Sequence, residues 1–245
     1  MNLPFIYRIH EYPKEEKIRS FLSFVSSLGY SVTGDIKNFK PTTIQRILKQ
    51  LEDKPEFSIL SALLLRSMQK AVYSYENMGH YGLASTCYTH FTSPIRRYPD
   101  TTVHRLLHTY LFDKNISMGT IKKWEEKLVY ISEHSSDRER ASVDCEREVE
   151  DMKMAEYMEE HIGETFDGMI SSVTSFGLFV QLDNMIEGLV PIKDMPDYFH
   201  FDEENMTLIG ERTNIRYRIG ERLLVKVIRA SKDEKTIDFE IVKKV

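Results

Sequence analysis

The chain has 245 residues, 41% of them hydrophobic and 29% charged, with a formal net charge of −5. That length admits one large or two small domains with real cores, and the composition is that of an ordinary water-soluble protein. There is no run of about 18 apolar residues, which excludes a helical membrane span, and the opening MNLPFIYRIHEYPKEE lacks the apolar centre of a secretory signal.

Taken in chain order, Ile18, Phe21, Leu22, Val25 and Leu28 recur at helical spacing, and Gly29 follows as a stop. Ile44, Ile47, Leu48 and Leu51 form the next stripe after a Pro-Thr-Thr start. A strongly apolar helix is expected over roughly 57–74. Pro99 stands at a favoured first helical position, ahead of Val103, Leu106, Leu107 and Leu111. Ile121, Trp124, Leu128 and Ile131 mark another helix. Ser136 and Glu139 fit a capping box that would open one more. Along it Ala141, Cys145, Val149, Met152, Ala155, Met158 and Ile162 give one narrow apolar face, until Gly163 ends the run. Its other faces are heavily charged, as in a surface helix laced with ion pairs.

At Gly163 the periodicity changes. FDGMISSV, FGLFVQL, MIEGLV, LLVKVIRA and TIDFEIV are short runs of β-branched or aromatic residues, broken by Gly and Asp-Asn. Five such strands predict a small barrel. The fold class is therefore α+β, with a mainly helical portion over 1–162 joined through a long helix to a five-stranded barrel over 163–245. The two cysteines, Cys87 and Cys145, have no metal-ligand spacing and read as free thiols of a reducing cytoplasm.

Two stretches carry chemistry. In YTHFTSPIRRYPD, residues 88–100, Arg96 and Arg97 lie between Pro94 and Pro99, with Thr92, Ser93 and Tyr98 beside them. A stiff backbone around two permanent cations suits an anion that must be held in one place. An isolated Arg-Arg pair is more often a solvated surface feature. The second stretch is VTSFGLFVQLDNMIEGLVP, in which Gly177 would bring Phe176 and Phe179 together on a barrel face. Such aromatics are more often core than a base-stacking platform. Residues 211–235, however, hold eight basic residues against four acidic ones, a local excess that suits phosphate. His104 and His108 are spaced to share a metal on a helix, but no third ligand is evident.

Residues 164–241 resemble an S1 RNA-binding domain, through the glycine before the second strand, EGLV and G-x-x-L-x-V-K-V. Many S1 domains carry His after EGLV, where this chain has Pro191, so the resemblance implies an RNA site on Phe176, Phe179, His200, Arg218, Lys226 and Arg229. The preceding two-thirds resemble the C-terminal half of the catalytic domain of RNB-family (ribonuclease II/R) exoribonucleases, through LPFIYRIHE, ALLLRSMQKAVYSYENMGHYGLA and YTHFTSPIRRYPD. These enzymes hydrolyse single-stranded RNA from the 3′ end to nucleoside monophosphates, with Mg2+ held by an aspartate cluster. The resemblance implies that Arg96 contacts phosphate at the reacting end and that Arg97 is the second choice, as a structural partner. It also implies contacts to RNA from Thr92, Ser93 and Tyr98. For the charged helix that precedes Gly163, the alternative to a surface helix laced with ion pairs is one whose Arg138, Arg140 and Arg147 also face RNA. The D-x-x-D-x-D-D pattern is missing from these 245 residues. The expectation is thus a piece of a longer enzyme that binds no metal by itself, with single-stranded RNA as partner and neither membrane nor small-molecule cofactor. The alternative is a stand-alone RNA-binding module without chemistry. A translation-associated S1 protein would have no use for SPIRRYPD.

Overall fold

The computed structural model describes residues 3–30, 39–54, 57–203 and 205–245, without the side chains of 27 and 58. The chain divides into two compact units, each assembled from separate stretches of sequence. The first comprises Met1–Arg19, Thr33–Lys49 and Leu64–Val143, and the second Ser20–Val32, Gln50–Leu63 and Asp144–Val245.

In the first unit, β1 (Tyr7–Ile9) pairs antiparallel with β2 (Val72–Ser74), Arg8 lying opposite Tyr73. The unit also holds α2 (Pro41–Leu51) as far as Lys49, α4 (Tyr98–Leu107), the wide turn His108–Phe112 and the first part of α5 (Met118–Glu159). Ile6, Tyr73, Val103, Leu106, Tyr110, Leu128 and Ile131 form its core, with Trp124 packed against them. Val103 and Leu106 of α4 are thus buried with Leu128 and Ile131 of α5, as their spacing requires, whereas Leu111, expected on the same stripe, lies beyond α4 in the wide turn and is exposed.

Three expectations change here. The helix predicted over 57–74 is α3 (Phe57–Ser67), and Val72–Ser74 is strand instead, because it finds its partner in Tyr7–Ile9 more than sixty residues earlier. The two helices expected on either side of Ser136 are one, α5. Ser136 and Glu139 do not cap: the Ser136 hydroxyl accepts the Tyr73 N–H at 2.9 Å and Glu139 pairs with Arg8. The true start of α5 is capped by Ser117, whose Oγ accepts the Thr120 N–H. Finally, the expected apolar face of the later part of α5 is buried only at Ala155 and Met158, while Ala141, Cys145 and Val149 face solvent.

In the second unit a closed barrel runs β10–β5–β4–β3–β9, with β3 (Thr165–Thr174), β4 (Gly177–Leu182), β5 (Glu187–Pro191), β9 (Arg222–Ser231) and β10 (Thr236–Lys244). Ile170, Leu178, Val180, Leu223, Val225 and Phe239 fill it. Gly188 lets a strand pass over Phe239: a Cβ there would lie 2.4 Å from the ring. Between β5 and β9 an unanticipated sheet of three short antiparallel strands forms: β6 (Phe199–Asp202), β7 (Thr207–Gly210) and β8 (Arg216–Arg218). The C-terminal part of α1 (Glu15–Ser27) belongs to this unit as well.

Candidate nucleic-acid interface

Two prolines and a buried acid build the arginine turn. The Ser93 carbonyl accepts the N–H groups of Arg96 and Arg97 at 3.3 and 3.0 Å, and the Thr101 hydroxyl donates to the Pro94 carbonyl at 2.8 Å, fastening the turn to α4. Arg97 caps α4 in extended conformation, with Pro99 in the first helical turn. Asp100, 0% exposed, accepts from Arg97 Nη2 and from the Ser93 N–H, both at 2.8 Å. A carboxylate taken wholly out of water survives only if charge and hydrogen bonds compensate it; Arg97 and the α4 N-terminus provide that compensation. Arg97 Nε and Asp100 Oδ2 nevertheless stay buried without a hydrogen-bond partner among the described residues.

The consequence separates the two arginines. Arg97 is committed to the interior, whereas Arg96 is exposed and, among the described residues, makes no ion pair. The turn therefore presents one forked cation on a fixed backbone. Thr92 is exposed beside it, Ser93 is half-buried with its N–H spent on Asp100, and Tyr98, 51% exposed, accepts from Arg105. His104 and His108 do not converge: His104 lies flat on Phe91 with ring centres 4.4 Å apart, and His108 reaches Asp113.

Behind the turn is a network that the sequence did not announce. Tyr73 Oη meets His90 Nδ1 at 2.9 Å, the Arg8 guanidinium covers the Tyr73 ring at 4.7 Å, and Glu139 holds Arg8. Burial, then the nearby Arg97 and Arg8, lower the His90 pKa, and burial raises that of Tyr73. Arg8 and Glu139 are 131 positions apart, so no local spacing could have joined them.

In the second unit, Phe176 and Phe179 stand edge to face at 5.9 Å, Phe176 54% exposed and Phe179 half-buried. Gly177 permits this hairpin, since a Cβ there would lie 2.2 Å from the Val190 carbonyl oxygen. The other barrel residues of interest lie elsewhere. Phe179 is opposite Ser172 but Lys226 is opposite Thr165, at the other end of β3 and so roughly 20 Å along the strand. Arg229 is paired with Glu234 and Asp238, and His200 and Arg218 are on the three-stranded sheet. The basic run is largely neutralised at home. Arg212 binds Asp197, Arg222 Asp183, Lys232 Glu156 and Lys235 Glu148, leaving Arg216, Arg218 and Lys226 without an ion pair among the described residues. On α5, Arg140 pairs with Asp137.

Residues 1–113 match the family model of the RNB domain, and residues 159–242 that of the S1 RNA binding domain. Ribonuclease R 1 of Lactococcus lactis is 48% identical over 97% of this chain, and the match covers 29% of that protein. The apo structure of Mycoplasma genitalium RNase R superposes over 98% of this chain and 38% of that one, with a TM-score of 0.92 and 34% identity. The same RNase R solved in complex with ribose methylated single-stranded RNA gives the same TM-score.

The chain belongs to the ribonuclease R family.

It spans about a third of the length of these ribonuclease R relatives. Within the stretch matched as RNB domain lie the turn and Arg8, and within that matched as S1 domain lie the Phe176–Phe179 pair and the three-stranded sheet. Glu139 lies in neither matched stretch, although its partner Arg8 does.

Proposed function

We propose that this chain supplies the phosphate-contacting arginine and an RNA-binding barrel of a processive 3′-to-5′ exoribonuclease, acting in the cytoplasm on single-stranded RNA and releasing nucleoside monophosphates. Residues 1–162 would be the catalytic-domain portion and 163–245 the S1 domain. One observation carries the reading: Arg96 makes no ion pair among the described residues, on a turn whose neighbour Arg97 is anchored to a buried carboxylate. A guanidinium so presented can donate two parallel hydrogen bonds to a phosphate and stabilise charge that develops during transfer.

Mg2+ would be the metal of the complete enzyme. Among the described residues no three His, Cys, Asp or Glu side chains come together as a group able to hold a metal. Asp100 is locked on Arg97, and Glu148 and Glu156 are engaged by lysines. These residues do not fit the ion, and no step through it follows from them. The same observation favours a second reading for the chain by itself, RNA binding without chemistry. Purified chain incubated with labelled single-stranded RNA and Mg2+ is expected to bind it and leave its length unchanged. Shortening from the 3′ end that co-purifies at constant specific activity would contradict this.

A further inference from the structure

We infer that the face of the β6–β7–β8 sheet lined by Arg216 and Arg218 is a phosphate-binding recess for the backbone of single-stranded RNA, separate from the Phe176–Phe179 hairpin. The inference rests on the RNA-binding reading of the second unit and adds a site to it.

Register places the recess. Ile209 lies opposite both His200 and Arg216, and Thr207 opposite both Asp202 and Arg218. Alternate residues of a strand share a face, so both arginines project on the same side, about 7 Å apart along β8. Tyr217 between them points the other way, into the core. Phe24 and Leu28, around the end of α1, line this side together with Asp202, Asn205, Thr207, Ile209 and the two arginines, around a recess of about 150 Å3.

Neither arginine has an ion pair among the described residues, and two like charges about 7 Å apart on one strand face repel each other. Every other arginine of the run 211–235 has a carboxylate partner. Asp202 also lines the cavity, but it is engaged in its own turn, accepting from the Asn205 N–H at 3.2 Å and from Asn205 Nδ2 at 2.8 Å. Phe24, 7% exposed, gives the recess one apolar wall. Arg216 and Arg218 are exposed, so they offer their forks without unfolding anything.

The test uses the whole chain and a labelled single-stranded oligoribonucleotide, with affinity followed across a potassium chloride series. Replacing both residues, Arg216→Gln with Arg218→Gln, should make the slope of log affinity against log salt shallower by about 1.4, since each phosphate neutralised on a single strand contributes about 0.7. Arg216→Lys with Arg218→Lys should restore the wild-type slope, and circular dichroism should be the same for all. NMR locates the contact: the Arg216 and Arg218 Nε–H resonances should shift on adding RNA and not on adding inorganic phosphate alone. A Gln pair with wild-type slope, while Phe179→Ala still weakens binding, overturns the recess and leaves the RNA-binding reading standing. Equal shifts with inorganic phosphate would assign the recess to a free anion and overturn it as an RNA site. A folded wild-type chain with no affinity for RNA would remove both.

Discussion

Asp100 decides what the two arginines can do. Its carboxylate is fully buried and holds Arg97 and the Ser93 N–H together. Asp100→Ala would strand the half-buried Arg97 and release the turn, at a cost of about 3–5 kcal/mol, read by denaturant unfolding. A change below about 1 kcal/mol would mean that the pair does not hold the turn. The signal for this was in the sequence, since RRYPD places Asp100 three residues after Arg97 at the start of a helix. What could not be read was that the carboxylate points inward, which depends on packing. At Phe179 the outcome is a compromise between core and platform: half-buried, its ring meets the edge of an exposed Phe176. Phe179→Ala should weaken RNA binding by about 1–3 kcal/mol with the salt slope unchanged, because stacking releases few ions. Wild-type affinity in a folded variant would take Phe179 out of the interface.

Among elements, long periodic helices and alternating strands were legible, and elements made by distant partners were not. β2 is three residues long and exists because Tyr7–Ile9 lies beside it. β6, β7 and β8 are three or four residues each, too short for alternation to stand out. In α5 the box at Ser136 and Glu139 is a true pattern spent on other partners, Tyr73 and Arg8. The elements also differ in how they respond to acid. His10, His80 and His90, all around the β1–β2 ribbon, have pKa values lowered by burial, with nearby cations adding to the effect. The unfolded chain therefore takes up these protons first, and stability of the first unit falls as pH drops below about 6.5. Glu156 behaves oppositely in position on the scale. Hydrogen bonds from Lys153 and Lys232 hold it at about 2, so the clasp between α5 and the β9–β10 hairpin contributes above its unfolded value of 4.5 and is lost as pH falls through about 2. Acid titration followed by NMR should show histidine-linked loosening first and loss of the clasp last. Glu156→Gln should abolish only the later stage; loss of both stages together would contradict this separation.

For the molecule as a whole, the sequence displayed its family through several motifs in order, and they fall in two units: one holds Arg96 on a fixed turn, without an ion pair among the described residues, and the other presents aromatic and basic faces. Among the described residues no three His, Cys, Asp or Glu side chains come together as a group able to hold a metal. The chain's contribution is therefore best measured in a chimera, with this chain replacing the matching segment of the Lactococcus lactis ribonuclease R. Single-turnover hydrolysis and RNA affinity of that chimera, with Arg96→Lys set against Arg97→Lys, test the central claim. Arg96→Lys keeps the charge but loses the fork, so the rate should fall about 10²-fold while affinity changes less than about threefold. Arg97→Lys should cost far less in rate and show instead as lowered thermal stability. Equal rate losses for the two, or an Arg96→Lys defect confined to binding, would contradict the assignment of Arg96 to the reacting phosphate.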